Sequence, residues 1–250
     1  MNPWHEEKRY ALVLAAGEST RFKSATPKVA YPLCGKPILS HVLDKLENLN
    51  IEKTFVVVGP KSQSVKDAVA SYAVSFVVQE EPLGTGHAVM AAAPLLKDFS
   101  GSLLVLCGDA PLITTETLRQ LLETREVEDA DHVVLTASLD DPQGYGRIIR
   151  DQQGNAIDVV EEKDALPEQQ AIREINTGFY CFKIASILEG LFLLSPANAA
   201  QEYYLTDLLR IFCSEGRKVI TLATETPDET RGINDLEQLA FAERTLKERG

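Results

Sequence analysis

The sequence predicts an α/β fold in which a mainly parallel central sheet is flanked by helices and carries an added β lobe. Two observations predict it. Over the first 140 or so residues, short apolar runs alternate with segments of helical periodicity, as in βαβ units. After Pro142 the rhythm changes, since two short strand-like runs flank the turn sequence 153–155 and indicate a hairpin.

The first half reads as five buried strands joined by helices. The expected strands are residues 10–14, 54–58, 74–78, 103–107 and 132–137. A long loop follows the first strand to about Pro37. Apolar residues at helical spacing then predict helices over 38–49, 62–72 and 87–96, and from Thr114 or Thr115 to about Arg125.

The second half is less regular. The hairpin strands are expected at 147–150 and 157–161, and further strands at 175–183 and 218–223. Helices are expected near 184–194 and 205–215, with an amphipathic final helix at 235–249. We expect a single domain over 1–250, with halves at about 10–140 and 141–234 and a C-terminal helix at 235–250.

Composition excludes several classes of protein. The net charge of −12 argues against a nucleic-acid partner, because phosphate backbones are held by clustered Lys and Arg. No apolar stretch approaches the roughly 20 residues of a membrane-spanning helix, so no membrane partner is expected. The four cysteines are scattered without a CxxC pair, which favours reduced thiols and a cytoplasmic location.

The strongest local signal follows the first strand. The strand ends in small residues that let backbone N–H groups approach a ligand closely, namely Ala15, Ala16 and Gly17. Arg21 and Lys28 add permanent positive charge suited to phosphates. Neither a GxGxxG nor a Walker A pattern is present. The alternative is a tight turn followed by two solvated cations.

Other candidate positions follow later strands, and each has a structural alternative. Gln79 offers an amide suited to a base edge. Asp109 follows the strand at 103–107, where a carboxylate would suit Mg²⁺. Thr85 and Asn234 could each be a helix N-cap, and residues 176–178 could be a strand bulge. The pair at 163–164 is compatible with solvated charges.

A series of motifs resembles the sugar nucleotidyltransferase family and, within it, the N-acetylglucosamine-1-phosphate uridylyltransferases. The motifs are LAAGxxTR at 14–21, PK at 27–28, GKP at 35–37, QEEPLGTGHA at 79–88, GDAPLI at 108–113, GYGRI at 144–148, VEEKDA at 160–165, EINTG at 174–178, EYYLTD at 202–207 and GIN at 232–234. They occur in the family's order and span about residues 11–239.

The resemblance implies a Rossmann-like nucleotidyltransferase fold with a sugar-binding β lobe, and a Mg²⁺-dependent transfer from UTP to a sugar 1-phosphate. It implies that Arg21 and Lys28 are catalytic and that Asp109 and Asn234 bind the metal. Nucleotide-binding positions would be Leu14, Ala15, Ala16, Gly17, Gln79, Gly84 and Thr85. Sugar-binding positions would be Gly146, Glu161, Asn176, Thr177 and Tyr204.

Two departures from the family pattern affect what is expected. Cys107 stands where the family commonly has tyrosine, so one edge of the sugar or base pocket is expected to differ. The hexapeptide repeats of the bifunctional enzyme do not occur before Gly250, so acetyltransferase activity is not expected. A monomer or weak dimer is favoured over the repeat-mediated trimer.

Three alternatives remain open from the sequence. The first is the same chemistry with glucose 1-phosphate, since only a few pocket contacts distinguish glucose from the N-acetyl sugar. A non-catalytic nucleotide-sugar sensor would be expected to lack a metal ligand or phosphate cation. A cytidylyltransferase for a small alcohol phosphate would share the loop but gives no reason for the motifs of the second half.

Overall fold

The computed structural model of the protein describes residues 7–17 and 26–249. Its strands in this part of the chain run in the order that the sequence predicts, with one short extra pair. They are β1 (Arg9–Leu14), β2 (Pro32–Leu33), β3 (Lys36–Pro37), β4 (Ile51–Val58), β5 (Val74–Val78), β6 (Ser102–Cys107), β7 (His132–Ser138), β8 (Arg147–Arg150), β9 (Ala156–Val160), β10 (Glu174–Lys183) and β11 (Val219–Ala223).

The helices are mostly shorter than the periodicity predicts. They are α1 (Ile38–Asp44), α2 (Gln63–Ala68), α3 (Thr85–Leu96), α4 (Thr115–Val127), α5 (Pro167–Gln170), α6 (Ile184–Leu191), α7 (Asp207–Ser214) and α8 (Leu236–Arg249). α1 ends at Asp44, yet Leu46 and Leu49 remain buried in the turns that follow. Apolar spacing therefore continued past the helix, because burial does not require helical backbone.

The central sheet has the strand order β11-β7-β10-β6-β1-β4-β5. β1 pairs in parallel with β4 and β6, and β4 pairs in parallel with β5. From β1 the chain adds β4 and β5 on one side and then crosses to add β6 on the other side. The strand order thus reverses between β1 and β6, and this is the topological switch point of a doubly wound sheet. The predicted α/β class with a mainly parallel sheet is confirmed.

One central strand runs against the others. β10 is antiparallel to β6 on one side and to β7 on the other. It also pairs with β8, which forms the predicted hairpin with β9. As a result, β10 begins at the edge of the sheet where β6 ends.

Apolar side chains on alternating strand positions bury both faces of the sheet. In β1, Ala11 and Val13 pack on one face, in a cluster that includes residues of α1, α2 and α4. Tyr10 and Leu12 pack on the other face, with residues of α3, α6 and α7. Sheets covered on both sides read as continuous apolar runs, which explains why these strands were recognisable in the sequence.

His132 is a fully buried ring on β7. It stacks on Phe182, with ring centroids 4.0 Å apart. Neither ring nitrogen has a hydrogen-bond partner within the described residues. Burial lowers the pKa of His132 to about 3, so the ring is an uncharged part of the core.

This burial predicts acid sensitivity. Below the ordinary histidine pKa of 6.5, His132 binds a proton in the unfolded chain but stays uncharged in the folded protein. The free energy of unfolding therefore falls by up to about 1.4 kcal/mol for each pH unit. His132→Phe should remove this contribution. Urea unfolding at several pH values checks it, with a measurement near pH 8 as the packing control. Equal pH slopes for both proteins would contradict the prediction.

Candidate active site

The ends of β1 and β6 form the floor of the candidate site. Leu14 pairs with Val57 on one side and with Cys107 on the other, so these strand ends are level. The Ala15 N–H donates to the Val57 carbonyl at 2.8 Å, and the Gly108 N–H donates to the Leu14 carbonyl at 2.9 Å. The small residues predicted to approach a ligand therefore lie at the switch point.

Three predicted residues that are distant in sequence meet at this edge. The Lys28 ammonium donates to the Asp109 carboxylate and, at 2.8 Å, to Oδ1 of Asn234. The Lys28 and Asp109 side chains are only 11% and 25% exposed, so the pair is largely shielded from water. Arg21, the other predicted cation, lies outside the described residues.

The interpretation of Asn234 as the N-cap of the last helix is wrong. The Asp235 carboxylate accepts from the Gln238 N–H at 2.8 Å and thereby caps α8. Gln238 accepts in return from the Asn234 N–H at 2.6 Å. Because Asp235 provides the cap, the Asn234 side chain is turned toward Lys28.

A buried carboxylate anchors the segment that leads to Asn234. Glu229 is 0% exposed and accepts from the Thr114 N–H at 3.2 Å. The hydroxyls of Thr117 and Thr224 also donate to it, at 2.8 and 2.5 Å. These donors replace the water that the carboxylate loses, and they tie the segment after β11 to the start of α4.

A cleft of about 400 Å³ opens beside the β1 turn. Gln79 lines it and is only 5% exposed. Its amide nitrogen donates to the Gly84 carbonyl at 3.1 Å and lies 3.2 Å from Nδ1 of His87. Because a carbonyl can only accept, the amide nitrogen must face Gly84, and the amide oxygen is left for another donor.

In the turn at 84–86, Thr85 is not the helix N-cap, which was the structural alternative to a binding role for this residue. Gly84, not Thr85, is the N-cap of α3. The Thr85 hydroxyl instead accepts from the Leu205 N–H at 3.1 Å. Gly84 has φ +100°, and a Cβ there would lie 2.7 Å from the Tyr203 carbonyl oxygen. Only glycine satisfies both constraints.

The predicted sugar-binding residues gather where β8, β9 and β10 meet. A Cβ on Gly146 would lie 3.3 Å from Oε1 of Glu161, so this glycine makes room for the carboxylate. The Asn176 N–H donates to the Gly146 carbonyl at 2.8 Å. The Thr177 hydroxyl donates to the Leu135 carbonyl at 2.7 Å.

The bulge predicted as an alternative at 176–178 is present. The pairing of β10 with β7 shifts between Asn176 and Tyr180. The Asn176 amide donates to the Tyr180 hydroxyl at 2.8 Å, and Gly178 takes φ +82°. A bulge and a binding role are compatible, since bulges re-aim side chains.

Two carboxylates that follow β9, those of Glu161 and Asp164, accept hydrogen bonds from Thr206 and Tyr204. Burial raises the pKa of Glu161, and the hydrogen bond from Thr206, at 2.9 Å, opposes that rise. Burial and the charge of Asp164 raise the pKa of Tyr204 to about 12. The Tyr204 hydroxyl therefore stays protonated, and it donates a hydrogen bond to Asp164 at 3.3 Å.

Cys107 lies between the two halves. Its thiol donates to the Gly178 carbonyl at 3.4 Å, and a Cβ on Gly178 would lie 2.7 Å from the sulfur. Burial, and next the charge of Asp109, raise the pKa of the thiol to about 12. Cys107 is therefore an uncharged packing residue at the point where the family commonly has tyrosine.

Sequence reasoning missed three residues that shape the site. Asp164 was compatible with a solvated charge, Glu229 drew no attention, and His87 was given no role. Asp164 lies within a recognised motif, which was a usable signal. His87 likewise lies in the motif 79–88, together with its partner Gln79, whereas the contacts of Glu229 join segments that no local pattern connects.

The protein is of the doubly wound α/β class, and it brings a lysine and two oxygen-bearing side chains together at the switch point, where open α/β sheets bind ligands. Residues 11–173 match the MobA-like NTP transferase domain. The chain belongs to this family of NTP transferases. The family resemblance predicted from the motifs is confirmed.

Curated relatives agree with this assignment. The chain is 47% identical over 242 residues to the bifunctional protein GlmU of Geobacillus sp. (strain WCH70), covering 97% of this chain and 52% of the relative. It is 43% identical over 243 residues to the bifunctional protein GlmU of Bacillus subtilis (strain 168), covering 97% and 53%. The chain thus spans about half the length of these relatives.

Two solved structures share the fold at low sequence identity. A UDP-glucose pyrophosphorylase in complex with UDP-glucose superposes with a TM-score of 0.77 at 20% identity, covering 98% of this chain and 100% of the other. A putative glucose-1-phosphate thymidylyltransferase from Bacillus anthracis gives 0.74 at 19%, covering 95% and 94%. No helix in the described part of this chain is long and apolar enough to cross a membrane.

The raised pKa of Glu161 predicts a gain in stability when its charge is removed. Folded Glu161 holds its proton to higher pH than the unfolded chain, so its ionisation opposes folding. Glu161→Gln should raise Tm near pH 8. The gain should vanish below the ordinary value of 4.5, where the carboxyl is neutral in both states.

Thermal unfolding of both proteins across this pH range checks the prediction. Glu168→Gln, at an exposed carboxylate, is the control and should leave Tm nearly unchanged. A lower Tm for Glu161→Gln near pH 8 would contradict it.

Proposed function

We propose that the chain transfers a uridylyl group from UTP to N-acetylglucosamine 1-phosphate and releases pyrophosphate, with Mg²⁺ as cofactor. The observation that carries the proposal is the convergence of Lys28, Asp109 and Asn234 beside the cleft. Phosphoryl transfer depends mainly on positioning and on neutralising charge, and these residues supply both kinds of group.

The donor set at this point fits Mg²⁺. One carboxylate oxygen of Asp109 and one amide oxygen of Asn234 contact the same ammonium, so both face a common cation position. Mg²⁺ prefers oxygen ligands, and it is often held by one or two protein groups together with substrate phosphates. When bound, it would neutralise charge on the nucleotide phosphate and the attacking sugar phosphate.

The residues of the chain would bind and orient the two substrates. The attacking phosphate oxygen is already an anion, so no general base is required. Lys28, with Arg21 as the second predicted cation, would neutralise the triphosphate and the leaving pyrophosphate. The triphosphate competes with Asp109 for the Lys28 ammonium, which would release the two oxygens for the metal.

The amide of Gln79 supports uracil as the base. Its nitrogen is committed to the Gly84 carbonyl, and its oxygen can therefore accept from the N3–H of uracil. Cytosine carries no hydrogen at N3, so the same oxygen would face an acceptor. Leaving a buried polar group unpaired is what makes such discrimination effective.

The second-half pocket supports a hexose derivative. Glu161 and Asn176 both lie beside Gly146, so one carboxylate and one amide are neighbours there, which suits hydroxyls that both donate and accept. Asn176 is the group that we assign to the acetamide. This assignment and the choice of the N-acetyl sugar over glucose rest on the motifs at 174–178 and 202–207.

Pyrophosphate release from UTP and Mg²⁺ tests the proposal directly. The rates with N-acetylglucosamine 1-phosphate, glucose 1-phosphate and no sugar are compared. We expect release that depends on the N-acetyl sugar. Asp109→Ala should lower kcat at least a hundredfold, the loss of about 3 kcal/mol typical for one electrostatic contact in a transition state.

Asp98→Ala, which removes an exposed carboxylate remote from the cleft, is the matched control and should retain activity. A preference for glucose 1-phosphate would keep the mechanism and overturn the substrate. UTP binding without release, whichever sugar is supplied, would favour a nucleotide-sugar sensor.

The nucleotide assignment makes a separate prediction. Wild type should prefer UTP over CTP in kcat/KM, and Gln79→Ala should lower that preference about tenfold through the loss of one hydrogen bond. Gln120→Ala, at an exposed glutamine on α4, is the control. A preference unchanged in Gln79→Ala would show that another group reads the base.

A further inference from the structure

The segment 198–206, called the strap here, crosses from one half of the site to the other. On the nucleotide side its backbone is bound at three points. The Tyr203 N–H donates to the Leu83 carbonyl at 2.8 Å, and the Gly86 N–H donates to the Tyr203 carbonyl at 2.7 Å. The Leu205 N–H donates to the Thr85 hydroxyl at 3.1 Å.

On the sugar side the strap is held by two carboxylates of the turn 161–164, those of Glu161 and Asp164. The Thr206 hydroxyl donates to Glu161 at 2.9 Å. Asp164 uses both of its oxygens: one accepts from the Ala199 N–H at 2.9 Å, and the other accepts from the Tyr204 hydroxyl at 3.3 Å. Asp164 is itself fixed, because its own N–H donates to the Glu161 carbonyl at 2.9 Å.

Within the strap, Leu205 is buried in the core with residues of α3, α6 and α7, and two side-chain hydrogen bonds shape the start of the loop. The Asn198 side chain donates to the Glu202 carbonyl and accepts from the Glu202 N–H, at 2.6 and 3.1 Å. These bonds shape the loop but do not attach it to the sugar lobe. Tyr204 is half-buried and depends on Asp164 for the position of its hydroxyl.

We infer that Asp164 is a positioning residue, which holds the strap and Tyr204 against the sugar pocket and so sets the affinity for the sugar phosphate. The inference rests on the proposed function for its substrate. Asp164 reaches the sugar through the strap and through the shared turn with Glu161. The three backbone hydrogen bonds between the strap and residues 83–86 do not involve Asp164, so its loss is expected to weaken sugar binding more than nucleotide binding. Two hydrogen bonds accepted by one carboxylate, one on each oxygen, make the attachment bidentate and therefore directional.

The test compares Asp164→Ala, Asp164→Asn and Tyr204→Phe by steady-state kinetics. Asp164→Ala should raise KM for N-acetylglucosamine 1-phosphate about tenfold, while KM for UTP and kcat change less than about threefold. Asp164→Asn should largely restore the wild-type KM, because its amide oxygen can still accept from Ala199. In a Tyr204→Phe background, Asp164→Ala should cost less than it does alone, since the two share one contact.

Glu168→Ala is the matched control, because it removes one exposed carboxylate from the same lobe. Any change that comes only from the lower negative charge near an anionic substrate will appear in this variant as well. Equal rises in KM for both substrates, or a sugar KM unchanged in Asp164→Ala, would overturn the inference.

Hydrogen exchange separates this inference from the proposed function, because it needs no substrate. The Ala199 amide, which donates to Asp164, should exchange at least tenfold faster in Asp164→Ala than in wild type or Glu168→Ala. If wild type releases no pyrophosphate with any sugar phosphate, the proposed function fails while faster exchange still supports the anchoring role. Unchanged exchange at 198–204 would overturn that role whatever the activity.

Discussion

The ion pair between Lys28 and Asp109, shared with Asn234, is the interaction on which the site depends. A lone carboxylate at the end of β6 would place negative charge beside the cleft that we propose for phosphates, and its loss of water would be uncompensated. The Lys28 ammonium neutralises that local charge and joins three separate segments of the chain. The net charge of −12 therefore says little about the local charge at the ligand.

The reversed direction of β10 brings the second half to that ion pair. Because β10 is antiparallel to β6, its first residues lie at the edge where β6 ends. The contact between Cys107 and Gly178 marks this junction. A parallel strand in the same place would begin at the opposite edge, and its bulge would lie far from Asp109. One reversed strand thus brings the groups that we propose to bind the sugar and the phosphates to the same edge of the sheet.

The sequence was informative wherever one element's own residues determine its structure. β1, β5 and β6 are mainly apolar runs, and their ends were predicted to within one residue. The antiparallel placement of β10 was not predicted, because strand direction depends on pairing between residues that are distant in the chain. Asn234 shows the same limit, since either of two neighbouring side chains could have capped α8 and only the contact with Lys28 distinguishes them.

The irregular segments around the site are held by carboxylates that bind backbone N–H and hydroxyl groups. Glu229 fixes the segment before Asn234, and Asp164 fixes the strap beside Tyr204. Apolar packing alone would leave the backbone polar groups of such loops unpaired, and it gives little directional restraint. A carboxylate supplies several acceptors from one side chain, so it can orient a loop without filling the pocket. The precision of the site therefore comes from polar anchors placed on a rigid sheet, and these anchors carry no pattern that periodicity can reveal.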